Sequence, residues 1–267
     1  MTGLATLWGV SALFLVIVMS AAWLVQKRTG QGGWADAFWS LGLGAAGVGV
    51  ALFPIDGAAP SLRQYMAALL IGLWGLRLGA HIAARAAHEG EDARYARLRQ
   101  DWGVGFQAKM FGFLMLQAGA AAFLALSVMA AARNPTPGLT LQDGFATLVF
   151  LGALFGEAIS DRQLAAFKRN PANKGKVCDV GLWAWSRHPN YFFEWLGWCA
   201  WPLFAISLSG EWPWGWLALT GPAYMYWLLT QVSGVPLLEE HMRRSRPKAF
   251  DAYAARTSAF FPRPPRR

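Results

Sequence analysis

LATLWGVSALFLVIVMSAAWLV, residues 4–25, followed by Gln26, Lys27 and Arg28, decides the fold class. An uncharged apolar run of about 20 residues, wound as a helix, matches the hydrocarbon thickness of a bilayer. No basic segment precedes it and no small-residue cleavage site follows it, so it reads as a first span and not as a removed signal peptide. Similar runs recur at 34–53, 64–83, 111–132, 143–166, 190–209 and 213–235. The sequence therefore predicts an all-α polytopic membrane protein, one transmembrane domain over 1–267 with seven spans and an interfacial tail, 236–267.

Composition agrees. Of the 267 residues, 55% are hydrophobic and 15% charged, where a soluble domain carries about 25% charged residues. The 15 Trp suit aromatic belts at the two interfaces. A net charge of +9 in a soluble protein would point to nucleic acid. Here the cations lie in loops beside anionic headgroups, so no nucleic-acid partner is expected and membrane lipids are. Lys27 and Arg28 follow the first run, and Arg85, Arg94, Arg97, Arg99 and Lys109 follow the third. Arg162, Lys168, Arg169, Lys174, Lys176 and Arg187 follow or close the fifth, and Arg243 to Arg267 supply those after the seventh. The alternate loops hold only Arg63 and Arg133. That alternation predicts an N-terminus outside and a cytoplasmic C-terminus. The Ala, Gly, Arg and Trp bias suggests a bacterial inner membrane. Cys178 and Cys199 have no CxxC neighbour, and the His residues are scattered, so neither a disulfide framework nor a metal site is expected.

Three groups could carry chemistry, all at the cytoplasmic ends of spans. In GLWAWSRHPNYFFEWLGWCAW, residues 181–201, Pro189 suits a first helical turn, which places Asn190 and Glu194 on one helix face. Glu194 then sits at membrane depth, where a carboxylate is costly and usually functional. Arg187, His188 and Tyr191 stand beside that helix start, which suits a phosphate- or carboxylate-bearing ligand. The second group is Glu157, Ser160 and Asp161 with Lys168 and Lys176: acids suited to ribose hydroxyls, cations suited to phosphate. The third is Asp36 with Arg77, His81 and Arg85, the last three on one stripe expected to face the bundle interior. Glu240 and His241 open an aromatic and basic tail, read as a helix along the membrane surface from Leu237 to Tyr253. No Walker, GxGxxG, HExxH or GxSxG pattern occurs.

Five stretches carry a resemblance: DAFWSLGLG at 36–44, LWGLRLGAHIAAR at 73–85 with EDARY at 91–95, SRHPNYFFEWLGW at 186–198, SGVPLLEEHMRRSRP at 233–247 and YAARTSAFFPRPP at 253–265. Together they resemble the bacterial steroid 5α-reductase-like membrane enzymes, a family long catalogued as of unknown function. The His-Pro-Asn-Tyr core is also similar to that of sterol reductases and of isoprenylcysteine methyltransferases. The resemblance implies a seven-helix bundle holding NADPH on its cytosolic side and transferring hydride to the β-carbon of an enone. It implies cofactor contacts at Asn190 and Glu194, and at Asp161 and Lys176, with Glu157 and Lys168 matching in polar character. The steroid enzymes use a Gln-Glu pair in span two and a Tyr in span three to polarise the substrate carbonyl. Here span two offers Asp36, and Trp74 stands at the Tyr position.

The expected activity is NADPH-dependent reduction of a conjugated double bond in a lipid-soluble, steroid-like or other lipid-like substrate. Arg187, His188, Asn190, Tyr191, Glu194, Glu240, His241 and the 157–176 cluster would hold cofactor, and Asp36, Arg77 or His81 would stabilise or protonate the enolate. No obligate protein partner is indicated. The alternative is methyl transfer from S-adenosylmethionine to a lipid-linked acceptor, disfavoured by the phosphate-type cluster. A transporter would explain Arg77, His81 and Glu194, but no internal repeat supports it.

Overall fold

The computed structural model describes residues 2–55, 57–207 and 209–265. Leu208, inside the sixth predicted run, and Arg266 and Arg267 of the tail lie outside the described residues. The chain forms two compact units, Met1–Asp143 with Trp201–Gly221, and Gly144–Ala200 with Pro222–Arg267.

The first unit contains α1 (Thr2–Thr29), α2 (Gly33–Leu52), α3 (Leu62–Glu89), α4 (Ala93–Trp102) and α5 (Phe106–Ala132). It also takes the first residues of α6 (Leu141–Arg169), the last of α7 (Pro189–Ala205), and a 3-10 segment, Pro213–Leu219. Ser61 and Gln64 form a reciprocal capping box that starts α3 after the Pro-rich turn. Glycine sets the α2–α3 contact. A Cβ on Gly44 would lie 2.9 Å from the Gly75 Cα, and one on Gly75 would lie 2.8 Å from the Gly44 Cα. Lipid tails give no hydrophobic drive for helix association, so such close backbone approach supplies the packing.

α5 is the hub of this unit. Four indoles donate to its backbone carbonyls: Trp8 to Ala122, Trp23 to Gln107, Trp39 to Gln117 and Trp212 to Ala130, at 2.8–3.2 Å. The Ala-rich surface of α5 lets the rings approach. These Trp residues staple helices together, a role beyond the interfacial belts that composition suggested. At the Pro-rich end, the buried Arg63 binds Asp143 through two hydrogen bonds of 2.8–2.9 Å and also donates to the Asn134 and Thr136 carbonyls.

The second unit holds most of α6 and α7, then α8 (Thr220–Trp227), a π turn over Leu228–Val232, α9 (Val235–Ser245) and α10 (Pro247–Arg256). The C-terminal strap after α10 lies beside residues 185–187. Ser186 and Ser258 form a parallel bridge, Arg187 N donates to Ser258 O at 2.8 Å, and Arg263 N donates to Trp185 O at 2.9 Å. Phe260 and Phe261 pack on Phe192, Trp195 and Tyr226, and seat the strap on α7 and α8.

Five helical stretches are long and apolar enough to cross a bilayer: Gly3–Thr29, Gly33–Leu52, Leu62–His88, Arg94–Ala132 and Leu141–Arg169. They coincide with the first five predicted runs, extended at their ends. The sixth run forms a shorter helix, Pro189–Ala205, containing Pro202. The seventh is broken into 3-10, α and π pieces. Pro213, Gly215 and Pro222 explain the irregular start, since proline lacks a donor and glycine weakens a helix interior. The predicted tail helix is likewise two helices, α9 and α10, parted at Arg246 before Pro247.

Candidate functional site

In the second unit α6 and α7 meet through small residues. A Cβ on Gly156 would fall 2.4 Å from the Phe193 ring, and one on Gly197 would sit 3.7 Å from Ala153. The polar side chains of both helices cluster along this contact. Asn190 Nδ2 donates to Asp161 Oδ1 at 3.3 Å, and Asn190 Oδ1 accepts from Tyr191 N at 3.1 Å. Glu194 Oε1 accepts from Trp198 Nε1 at 2.9 Å. Glu157 and Glu194 are buried, 5% and 8% exposed. Two carboxyls in so apolar a setting are costly unless they are paired or serve a ligand. The predicted i, i+4 pairs, Asn190 with Glu194 and Glu157 with Asp161, thus lie on inward helix faces.

The loop entering α7 is organised by Glu239, a residue that the sequence reading did not count among the cofactor ligands. Its carboxylate is 5% exposed and accepts from Arg187 Nε at 2.8 Å, His188 Nε2 at 3.2 Å and Arg243 Nη2 at 3.2 Å. Arg187 Nη1 donates to the Ala254 and Thr257 carbonyls. The donors of Arg187 are therefore taken up by the chain itself. Arg187 and His188 lock α9, α10 and the strap to the start of α7, and do not stand open to a phosphate. Tyr191 stacks on His188, with ring centroids 5.6 Å apart. Burial pushes the His188 imidazole below its usual pKa, outweighing Glu239, so the ring is neutral and donates from Nε2. Burial opposes the charge on Glu239, but hydrogen bonds from His188 and Arg187 win and hold it below the usual carboxylate range.

Glu240 and His241, named as ligands from sequence, lie elsewhere: Glu240 pairs with Arg244 at 2.6 Å and His241 is exposed. The signal that separates them from Glu239 is helical phase. Glu239 stands four residues after Val235 and three before Met242, on the inward stripe of α9.

Lys168 and Lys176 are exposed, as are Arg162, Arg169 and Lys174, and none forms an ion pair among the described residues. The neighbouring cations Arg187, Arg243, Arg244 and Arg256 are all paired with carboxylates. The 162–176 stretch therefore concentrates uncompensated positive charge.

The third predicted group lies in the first unit. Asp36 accepts from Tyr95 Oη at 2.7 Å and from Arg94 Nη2 at 2.6 Å, and Arg94 Nε also binds Asp92 at 2.9 Å. Tyr95 is buried against Gly32, where a Cβ would fall 2.2 Å from its ring. Asp36 thus tethers α4 to the start of α2. Arg77 is half-buried and Arg85 approaches Asp92 at 3.5 Å, while His81 is exposed. The stripe expected to face the interior does so only in part.

Long apolar helices with buried carboxyls at their polar ends define a multi-pass α-helical membrane protein. Within that class, the chain belongs to the DUF1295 family: a family model described as "Protein of unknown function (DUF1295)" matches residues 22–257. No curated protein and no solved structure gives a significant match.

Proposed function

We propose that this chain is an NADPH-dependent reductase of the steroid 5α-reductase-like type, reducing a double bond conjugated to a carbonyl in a lipid-soluble substrate. It spans a bacterial inner membrane seven times, with the N-terminus outside and the C-terminus in the cytoplasm. The observation that supports this is the second unit's donor set: Asn190, Asp161, Glu157 and Glu194 on the α6–α7 face, and in the same unit the exposed Lys168 and Lys176, which form no ion pair among the described residues. Carboxylates and a carboxamide suit ribose hydroxyls and an amide, and free cations suit phosphates. When bound, the reduced nicotinamide would supply the hydride.

The remaining tasks fall to the chain's own residues. Arg187, His188 and Glu239 fix the start of α7 and so orient Asn190 and Glu194. Arg77 and His81 are the groups proposed to stabilise an enolate oxygen or return a proton to it. Asp36 acts through Tyr95 and Arg94. S-adenosylmethionine has no phosphate and would leave the 168–176 cations unused.

Purified protein in detergent should be stabilised against heat by NADPH and NADP⁺. Lys168→Ala and Lys176→Ala should each weaken that binding by roughly tenfold, as loss of a charge-assisted contact implies. Stabilisation by S-adenosylmethionine alone would transfer the site to methyl transfer and end the reductase reading.

A further inference from the structure

The face of α6 turned away from α7 has a pattern of its own. Phe155, Ile159, Arg162, Ala166 and Arg169 follow one another at steps of four, three, four and three residues, which places them on one stripe. Phe155 and Ile159 are 65% and 47% exposed. Toward the polar end of the helix the stripe opens into a trough of about 660 Å³ lined by Ile159, Arg162, Gln163, Ala165, Ala166 and Arg169. The two arginines are exposed and unpaired among the described residues, and the two alanines leave the floor between them empty of side chain. Gln163 Oε1 is occupied by Leu182 N–H at 2.9 Å, so its remaining polar group is a donor.

We propose that this trough binds one anionic phospholipid of the surrounding bilayer, its headgroup phosphate held between Arg162 and Arg169 and an acyl chain lying along Ile159 and Phe155. The order of chemistry along the stripe, apolar at bilayer depth and cationic at the helix end, is that of a phospholipid read from tail to head. The arginines stand about 10 Å apart along the axis, and their long side chains can close on one headgroup from either end. Guanidinium is suited to phosphate by its planar donor fork. The site is separate from the proposed cofactor face. Glu157, Asp161, Leu164 and Lys168 form a stripe on nearly the opposite side, rotated by about 150° around the helix. The lipid site therefore stands or falls independently of the reductase reading.

The test uses the full chain, delipidated in detergent, with phosphatidylglycerol as probe and phosphatidylcholine as neutral control. Phosphatidylglycerol should raise the melting temperature and remain bound in native mass spectrometry, and phosphatidylcholine should do neither. The double variant Arg162→Gln/Arg169→Gln should bind phosphatidylglycerol roughly tenfold more weakly. Ala166→Trp, which fills the trough and keeps both charges, should do the same. Arg244→Gln/Lys248→Gln, equally exposed on the tail, should bind as the parent does. Unaltered binding by the first two variants, or an equal loss in the tail variant, would overturn the proposal. So would equal stabilisation by glycerol 3-phosphate, which would make the trough a site for soluble phosphate.

Discussion

At the residue scale, the sharpest distinction is between two adjacent glutamates. Glu239 is buried among Arg187, His188 and Arg243, whereas Glu240 forms an i, i+4 pair with the exposed Arg244. Removing one member of a buried charged network leaves its partners uncompensated and costs about 3 kcal/mol or more, while an exposed i, i+4 pair is worth about 0.5 kcal/mol. Glu239→Gln should therefore lower the melting temperature markedly, and Glu240→Gln should leave it near the parent value. The same lock makes the protein acid-sensitive. His188 is buried neutral with a lowered pKa, so below about pH 6.5 the unfolded chain takes up a proton that the folded chain resists. Glu239 has a lowered folded pKa, so its contribution is present above the ordinary carboxylate range and fades as pH falls through the depressed value. Both effects point the same way, with His188 acting first. The fall in melting temperature between pH 7.5 and 5.5 should shrink in His188→Gln; an unchanged slope would assign the acid sensitivity to other groups.

At the element scale, the α2–α3 contact makes a second prediction. Gly44 and Gly75 approach backbone to backbone, so an added methyl has no flexible neighbour to displace. Gly75→Ala should destabilise by about 1–3 kcal/mol, as overpacking does, and Gly72→Ala, whose Cβ would meet only Val48 at 3.5 Å, should be close to neutral. Equal melting temperatures for the two variants would refute the close approach. The comparison also shows what a sequence can and cannot carry at this scale. The first five helices were legible because a sustained apolar run has few other solutions in a chain with so few charges. The breaks within 213–235 were harder to see. Those residues are as apolar as a span, and hydropathy does not register the donors that Pro213 and Pro222 lack. The indoles on α5 were illegible for another reason: composition counts tryptophans but does not say which carbonyl an Nε1–H will find. That Asn190 shares a face with Glu194, and Glu157 with Asp161, was legible because helical periodicity fixes it; that these faces meet between α6 and α7 was not. Glu239 was missed because its partners, Arg187 and His188, lie about fifty residues earlier, and only the folded tail brings them together.

At the scale of the whole molecule, five and seven membrane crossings make different, testable predictions. Charge alternation orients the chain but does not separate five spans from seven, because both numbers are odd and both leave the C-terminus on the same side. The connection between α7 and the 3-10 segment carries Glu211 but no Lys or Arg, so the positive-inside rule is silent there. α7, from Pro189 to Ala205, rises about 25 Å against a hydrocarbon thickness of about 30 Å, a mismatch that local thinning or flanking residues can absorb. Its fully buried Trp198 and Trp201, and a carboxylate satisfied by an indole, fit a helix enclosed by protein within the bilayer. Seven crossings place Glu211 outside the cell, whereas five place it in the cytoplasm. With Cys178 and Cys199 replaced by Ser, a Glu211→Cys variant in intact cells should react with a membrane-impermeant maleimide, and an Asn173→Cys variant should react only after the membrane is opened. Labelling of Glu211→Cys solely in opened cells would reduce the count to five and turn α7 and α8 into a re-entrant pair. The 162–176 cations follow the fifth apolar helix, so both counts put them on the same side of the membrane.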